Sequence, residues 1–409
     1  MDGLLCRALR LPSRRRTPGR PRQCATLAAL VVVCTALVSA VPAAAAPASA
    51  GDVRFVKDAG AGFDAVTASP SGSTKAFFLR NYSRMVAHSP YFDSRLRWYP
   101  RAWAYLDLYG IPARSRIARQ HPRWILRDSA GRPLYIPFAC SGGSCVQYAG
   151  DPTNPAFRRW WIRRARRIVR RGYKGLYLDN VNLMRRVSLG TGQEVAPRSP
   201  RSGRRIGGVA WRRAIAKFTR QIRRSLRRTE IAHNVIWFAP GAKGKWGRMQ
   251  TRSANVITLE RGVNDAGLTP GNGRFGLSTF LRFADWAHRR KASVMFFEDA
   301  NTHARRNYGL AGYFMVNAGR DFIASEGAST PGNWWRGYEV RLGAPRGKRY
   351  RWKGLLRRDF QRGMVLMNEP GRPVRWVPLP RTLETADRQS RVNSVVLHPA
   401  DGVVLADPR

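Results

Sequence analysis

Asp179 closes an apolar run, Leu176-Tyr177-Leu178, and is followed by Asn180 and Val181. A basic helical segment and a short turn containing Gly172 lead into that run. An acid at the end of a buried strand is held at the mouth of a sheet by a rigid element, the place where parallel α/β folds put their chemistry. The arrangement recurs. Asp107 ends the run 102–106, Asp151 follows 147–150, and Glu260 ends 255–259. Glu298 and Asp299 end 294–297, and Glu326 follows 322–324. The chain has 25 acidic residues against 73 basic ones, so acids gathered at the ends of apolar runs are not an accident of composition. Each acid also has a plainer reading: Asp179 as a strand-terminating or capping acid, and Asp151, just before Pro152, as a helix-capping one.

Paired carboxylates are what glycoside hydrolysis needs. One stays ionised to attack or stabilise an oxocarbenium-like centre, and the other carries a proton for the leaving oxygen. Asp179 and Glu260, on the expected fourth and sixth strands, would face each other across a barrel mouth. Asp107, Asp151, Asn180, Glu298 and Tyr82 are the candidate substrate-binding residues. Tyr105, Tyr109, Tyr177 and Trp246 offer further faces for sugar rings. Six histidines, and no Cys/His cluster, argue against a zinc site or a Ser-His-Asp device; no metal and no cofactor is expected.

The elements that must position these residues alternate. Short apolar runs at 76–79, 102–106, 147–149, 175–178, 235–238, 256–259, 293–297 and 322–324 read as eight buried strands. Amphipathic segments lie between them. After Asp151-Pro-Thr-Asn-Pro155, a capped helix start, Phe157, Trp161, Ala165 and Ile168 recur at helical spacing. Eight repeats of strand and helix predict an α/β fold, a (β/α)8 TIM barrel over residues 74–330. The segments 109–146, 180–208 and 261–275, which follow strands, are long, whereas the helix-to-strand turns are short. That asymmetry marks one working face. Beyond Thr330, short strand-like runs punctuated by Gly343, Gly347, Gly363 and Gly371 predict a small C-terminal antiparallel β domain, residues 336–409.

Residues 1–46 have the form of an export signal: seven Arg, an apolar stretch from Ala25 to Val41, and small residues at 43–46. Residues 47–73 read as a linker. Secretion is therefore expected, to the extracellular space or cell wall, with no membrane span once the signal is removed. Cys140 and Cys145 then remain as the only cysteines, spaced to close a small disulfide loop in an oxidising compartment. The formal net charge of +48, spread over helices and loops, favours anionic polymers over a specific nucleic-acid groove.

Several stretches resemble a bacterial secreted family known as hypothetical glycosyl hydrolase family 15. They are His121-Pro-Arg-Trp-Ile-Leu-Arg-Asp, Gly131-Arg-Pro-Leu, Asp151-Pro-Thr-Asn-Pro, Gly172-Tyr-Lys-Gly-Leu-Tyr-Leu-Asp-Asn-Val and Arg358-Asp-Phe-Gln-Arg-Gly-Met-Val-Leu-Met-Asn. The resemblance spans about residues 75–370. The Leu178-Asp179-Asn180 strand end is also similar to the fourth strand of the α-galactosidase-like barrels. Carried over, that likeness makes Asp179 the nucleophile and Glu260 the general acid/base of a retaining enzyme acting on α-linked sugars. The competing expectation is a non-catalytic protein that grips a glycan or an anionic polymer on the same scaffold.

Overall fold

The computed structural model describes residues 49–60, 63–141, 144–190 and 193–408. The expected export signal, with Cys6, Cys24 and Cys34, lies outside the described residues. Eight parallel strands close into a barrel: β1 (Phe55–Ala59), β2 (Tyr82–Ala87), β3 (Trp103–Asp107), β4 (Gly175–Asp179), β5 (Glu230–Asn234), β6 (Val256–Arg261), β7 (Ser293–Glu298) and β8 (Phe322–Ser325). Each strand pairs with its neighbours in sequence, and β1 pairs with β8 to close the ring.

The barrel is the one expected, but its first strands are elsewhere. Residues 47–73 are not a linker: they supply β1, and the barrel begins at Phe55. Lys57 and Asp58 break the apolar run there and hide it. Residues 76–79 belong instead to a helix, α1 (Gly72–Asn81), whose first turn is capped by the Ser71 hydroxyl accepting from Thr74 N. The segment Gln147–Ala149 pairs outside the barrel with Gly110–Pro112. The fifth strand ends at Asn234, just before the run 235–238 assigned to it. Asp179 nevertheless sits on the fourth strand, because two strands precede β3 where one was expected and the weak third one is not in the barrel.

The two-residue period of a strand decides which side chains enter the barrel. Val56, Val86, Trp103, Tyr177, Ala232, Val256, Met295 and Phe322 fill its interior. Stepping two residues on from these brings Asp179, Asn234 and Thr258, and then Glu260, towards the mouth. The alternate residues, such as Leu176, Leu178, Ile231 and Ile257, pack outwards against the helices. Those helices are α2 (Pro155–Val169), α3 (Gly208–Ser225), α4 (Lys245–Thr251), α5 (Leu277–His288) and α6 (His303–Val316). Asn154 caps α2, with Pro155 at its first position.

The C-terminal strands β9 (Tyr350–Trp352), β10 (Leu355–Phe360), β11 (Gly363–Asn368), β12 (Arg375–Thr385), β13 (Arg391–Leu397) and β14 (Asp401–Ala406) form one antiparallel sheet in the order β9-β10-β11-β14-β12-β13. The stretch 338–342, expected as a strand, begins in a 3-10 turn instead. The sheet lies over α6, whose residues from Tyr308 to Val316 are all buried because protein covers the helix on both sides. Close approach is needed there, since a Cβ on Gly402 would stand 2.8 Å from the Cβ of Ala311.

One buried cation ties the two units. Arg358 donates from Nη1 to the carbonyl oxygens of Phe314 at 2.6 Å and Asn317 at 3.0 Å, satisfying acceptors that the end of α6 leaves open. Its burial, and secondly the nearby Arg349, lower its pKa to about 10, still charged at neutral pH. Arg358→Met should strand these carbonyls and cost roughly 2–4 kcal/mol in urea unfolding, with Arg358→Lys recovering only part of the loss.

Candidate active site

Three adjacent strands present three polar side chains in a row: Asp179 on β4, Asn234 on β5 and Glu260 on β6. The amide of Asn234 joins the two acids. Its Nδ2 donates to Asp179 Oδ1 at 3.0 Å and to Glu260 Oε2 at 3.5 Å, the second contact at the limit of a hydrogen bond. Those two oxygens therefore lie no more than about 6.5 Å apart, the sum of the two contacts. The acids line a cleft of about 400 Å³ together with Asn180, Asn182, Arg186 and Trp237.

Asp179 is held on several sides. Tyr105 donates its hydroxyl to Asp179 Oδ2 at 2.6 Å, and the backbone N–H of Asn180 donates to Oδ1 at 2.7 Å. The Tyr105 ring stacks on Tyr177, and the His88 ring packs against it with centroids 4.8 Å apart. Asn180 has a left-handed backbone, φ +55°, a conformation that Asn tolerates better than most residues. That turn aims its side chain back, so that Nδ2 donates to Asp107 Oδ2 at 2.5 Å.

Asp107 faces Asp179 directly in the register of β3 and β4. Burial, and then the charge of Asp179, push its carboxyl up to about 7. It is 8% exposed, and both oxygens are used: Oδ1 accepts from the N–H groups of Tyr109 and Gly110, and Oδ2 from Asn180. The substrate-binding role expected of Asp107 is replaced by a supporting one, fixing Asn180 and through it the peptide beside Asp179. Trp161 of α2 holds the Asp107 carbonyl oxygen at 2.9 Å, which anchors this corner to the helix layer.

Glu260 owes its position to the turn that follows. Arg261 and Gly262 both have left-handed backbones, φ +62° and +53°. Glu298 clamps the turn: Oε1 accepts from Val263 N, and Oε2 accepts from Asn264 N and Asn264 Nδ2. Being at an odd step of β7, Glu298 points out of the barrel, is fully buried, and has its pKa raised to about 7 by that burial. It cannot reach a substrate in the cleft. The Glu260 side chain itself is exposed along the cleft. Protein packed round its carboxyl group, and then the charge of Asp179, raise its pKa above the ordinary carboxylate value.

Two further sequence-based candidates leave the site. Tyr82 starts β2 at the opposite end of the barrel, is fully buried, and donates to the Ser329 carbonyl at 2.6 Å. Asp151 is fully buried and holds Thr153 N and Oγ1 and the Ser199 hydroxyl, so the capping-type reading prevails over substrate contact. Asn180 does line the cleft. The Cys140–Cys145 disulfide is formed. Beside it Phe138, 69% exposed, stands at the cleft under the Arg186 guanidinium, 5.7 Å from the ring.

Asn234, Phe138 and Trp237 were not among the residues predicted. Asn234 carries a signal in hindsight: it lies two residues beyond Ala232 in a parallel strand, the same phase that singles out Asp179 after Tyr177.

A methyl group at Gly262 would fall 2.0 Å from Glu298 Oε1 in a backbone region that L-residues avoid. Gly262→Ala should therefore lower stability by roughly 2–4 kcal/mol. Gly273→Ala, in the same loop with open space around it, should change it by less than about 0.5 kcal/mol. Urea titration of the two variants checks this.

The structural comparisons return glycosidase barrels at low similarity. The glycoside hydrolase domain of PelA from Pseudomonas aeruginosa is 14% identical, with a TM-score of 0.41, covering 69% of this chain and 96% of that one. The α-amylase of Geobacillus thermoleovorans is 9% identical, with a TM-score of 0.46 and coverages of 88% and 98%. A variant of the GH36 α-galactosidase AgaA of Geobacillus stearothermophilus is 10% identical, with a TM-score of 0.43 and coverages of 87% and 55%. Likeness at this level carries no argument about chemistry. No curated protein matches the sequence. Residues 90–364, about two thirds of the chain, match the family described as hypothetical glycosyl hydrolase family 15, and the chain belongs to that family.

Proposed function

We propose that the protein is a secreted retaining glycoside hydrolase that cleaves α-linked glycosidic bonds in an extracellular or cell-envelope polysaccharide. The observation that carries this reading is the pair of carboxylates sharing one amide donor. A retaining enzyme needs its two carboxyl groups about 5–5.5 Å apart, whereas an inverting one needs roughly 6.5–9.5 Å to admit a water. The bound of about 6.5 Å on the bridged oxygens admits the closer spacing. The α-linkage rests on the likeness of the Leu178-Asp179-Asn180 strand end to the α-galactosidase-like barrels.

The roles follow from the surroundings. Asp179 accepts hydrogen bonds from Tyr105, Asn234 and the Asn180 N–H, which hold its carboxyl group in place at the mouth. It is the nucleophile, attacking the anomeric carbon to give a glycosyl ester. Glu260 accepts only the long Asn234 contact, and the protein packed round its carboxyl group, with the charge of Asp179, favours its neutral form. It donates its proton to the leaving oxygen, then removes one from the water that opens the ester. Asn234 keeps the carboxyls close without charge of its own. Phe138 and Trp237 supply apolar faces for sugar rings.

Because Glu260 must be protonated for the first step, turnover is expected to fall as pH rises through its raised pKa. Glu260→Gln should remove the alkaline limb and lower kcat by about 10²–10⁴-fold on substrates with poor leaving groups. Asp179→Asn should abolish turnover while glycan binding survives. Proton NMR of the first-formed product tests the stereochemistry: the α-anomer is expected, and the β-anomer would refute retention. Binding with no turnover of any glycan by the wild type would instead favour a glycan-gripping protein.

A further inference from the structure

The cleft does not end at Trp237. A second hollow of about 330 Å³ continues from it along the loop after β5 and shares Trp237 and Phe238 as a common wall. Its far side is formed by Gly241, Lys243, Arg274 and Thr279. Phe238 meets Phe275 edge to face, with centroids 5.0 Å apart, and the Arg274 guanidinium lies 5.1 Å from the Phe275 ring. The two hollows differ in sign. Asp179, Glu260 and Asp265 line the first together with Arg186 and Arg261, whereas the charged residues lining the second, Lys243 and Arg274, are both basic. Lys243 is exposed and sits in the field of Arg282 and Arg289. Asp285, the acid that bears on it, is already engaged bidentately by Arg349 at 3.0 and 2.6 Å. Among the described residues neither Lys243 nor Arg274 makes an ion pair.

We propose that this arm is a subsite for an acidic sugar residue, its ring against Trp237 and Phe238 and its carboxylate drawn by the positive charges of Lys243 and Arg274 on the same wall. The inference deepens the glycosidase reading by naming the substrate class, a uronate-containing glycan, and it rests on that reading only for the cleft being a glycan site, not for turnover.

The test is calorimetric titration of the Asp179→Asn protein, at fixed ionic strength, with hexagalacturonate, with a sulfated carrageenan hexasaccharide and with maltohexaose. Hexagalacturonate is expected to bind about 10-fold or more tighter than maltohexaose, and the Lys243→Ala/Arg274→Ala variant to lose that advantage. Arg227→Ala/Arg228→Ala removes the same charge from the exposed turn before β5, at the other end of the barrel, and should leave the affinity within about 2-fold. Equal losses in the two double variants would mean that only the general cationic field attracts the glycan, and would overturn the subsite. So would hexagalacturonate binding no tighter than maltohexaose, or a response to the sulfated chain alone. Turnover is assayed separately on the wild type: its absence would defeat the hydrolase reading and leave the binding result standing.

Discussion

A single side-chain amide governs the geometry of this mouth. Two carboxylates within hydrogen-bond reach of one nitrogen repel each other, and the nearer they come the harder it is to ionise both. A lysine or arginine between them would hold both as anions and leave no proton to give. Asn234 does the reverse: it supplies two N–H donors and no charge, so the spacing is fixed while Glu260 remains free to carry a proton. Its own place is set by the barrel. β5 lies between β4 and β6, with His233 opposite Leu178 and Asn234 opposite Thr258, and the Asn234 carbonyl accepts from Val181 N at 3.1 Å. The three side chains are successive teeth of one sheet rather than residues converging from loops.

Outside this row, two buried acids do structural work for the mouth. Asp107 steadies the left-handed Asn180 next to Asp179, and Glu298 clamps the left-handed turn after Glu260. Both hold polar loop backbone with carboxylate oxygens, and both carry pKa values raised by burial to about 7. In a chain of formal net charge +48, the general field would lower carboxylate pKa values. At these positions loss of solvent outweighs that field.

The working face and the two catalytic candidates were legible because each acid ends an apolar run in an acid-poor chain. Which face of a strand a residue occupies was harder to read. Glu298 looked equivalent to Glu260, yet it lies one residue out of phase with the interior-facing Met295 and Phe297, and so points outwards. Tyr82 was misplaced with the strand that carried it: residues 76–79 are apolar enough for a strand, but the Ser71 cap makes them helical. The fifth strand was misplaced because its sequence is polar. Glu230 is occupied by Arg84 and Trp103 at the base of the barrel, and His233 is a fully buried residue that burial keeps neutral, its pKa lowered to about 3. Those tertiary partners are invisible in the local pattern, and Asn234 was lost with the strand that bears it.

The central claim, a covalent glycosyl intermediate on Asp179, is most directly tested by trapping. The wild type would be incubated with a panel of 2-deoxy-2-fluoro-α-glycosyl fluorides, digested, and the modified peptide sequenced by mass spectrometry. The account predicts an ester on Asp179 in the peptide containing Leu178-Asp179-Asn180, still formed when Glu260 is replaced by Gln because fluoride leaves with little help from an acid. An adduct on any other carboxylate, or first-order turnover of a fluoro-sugar with no adduct and with inversion, would contradict it.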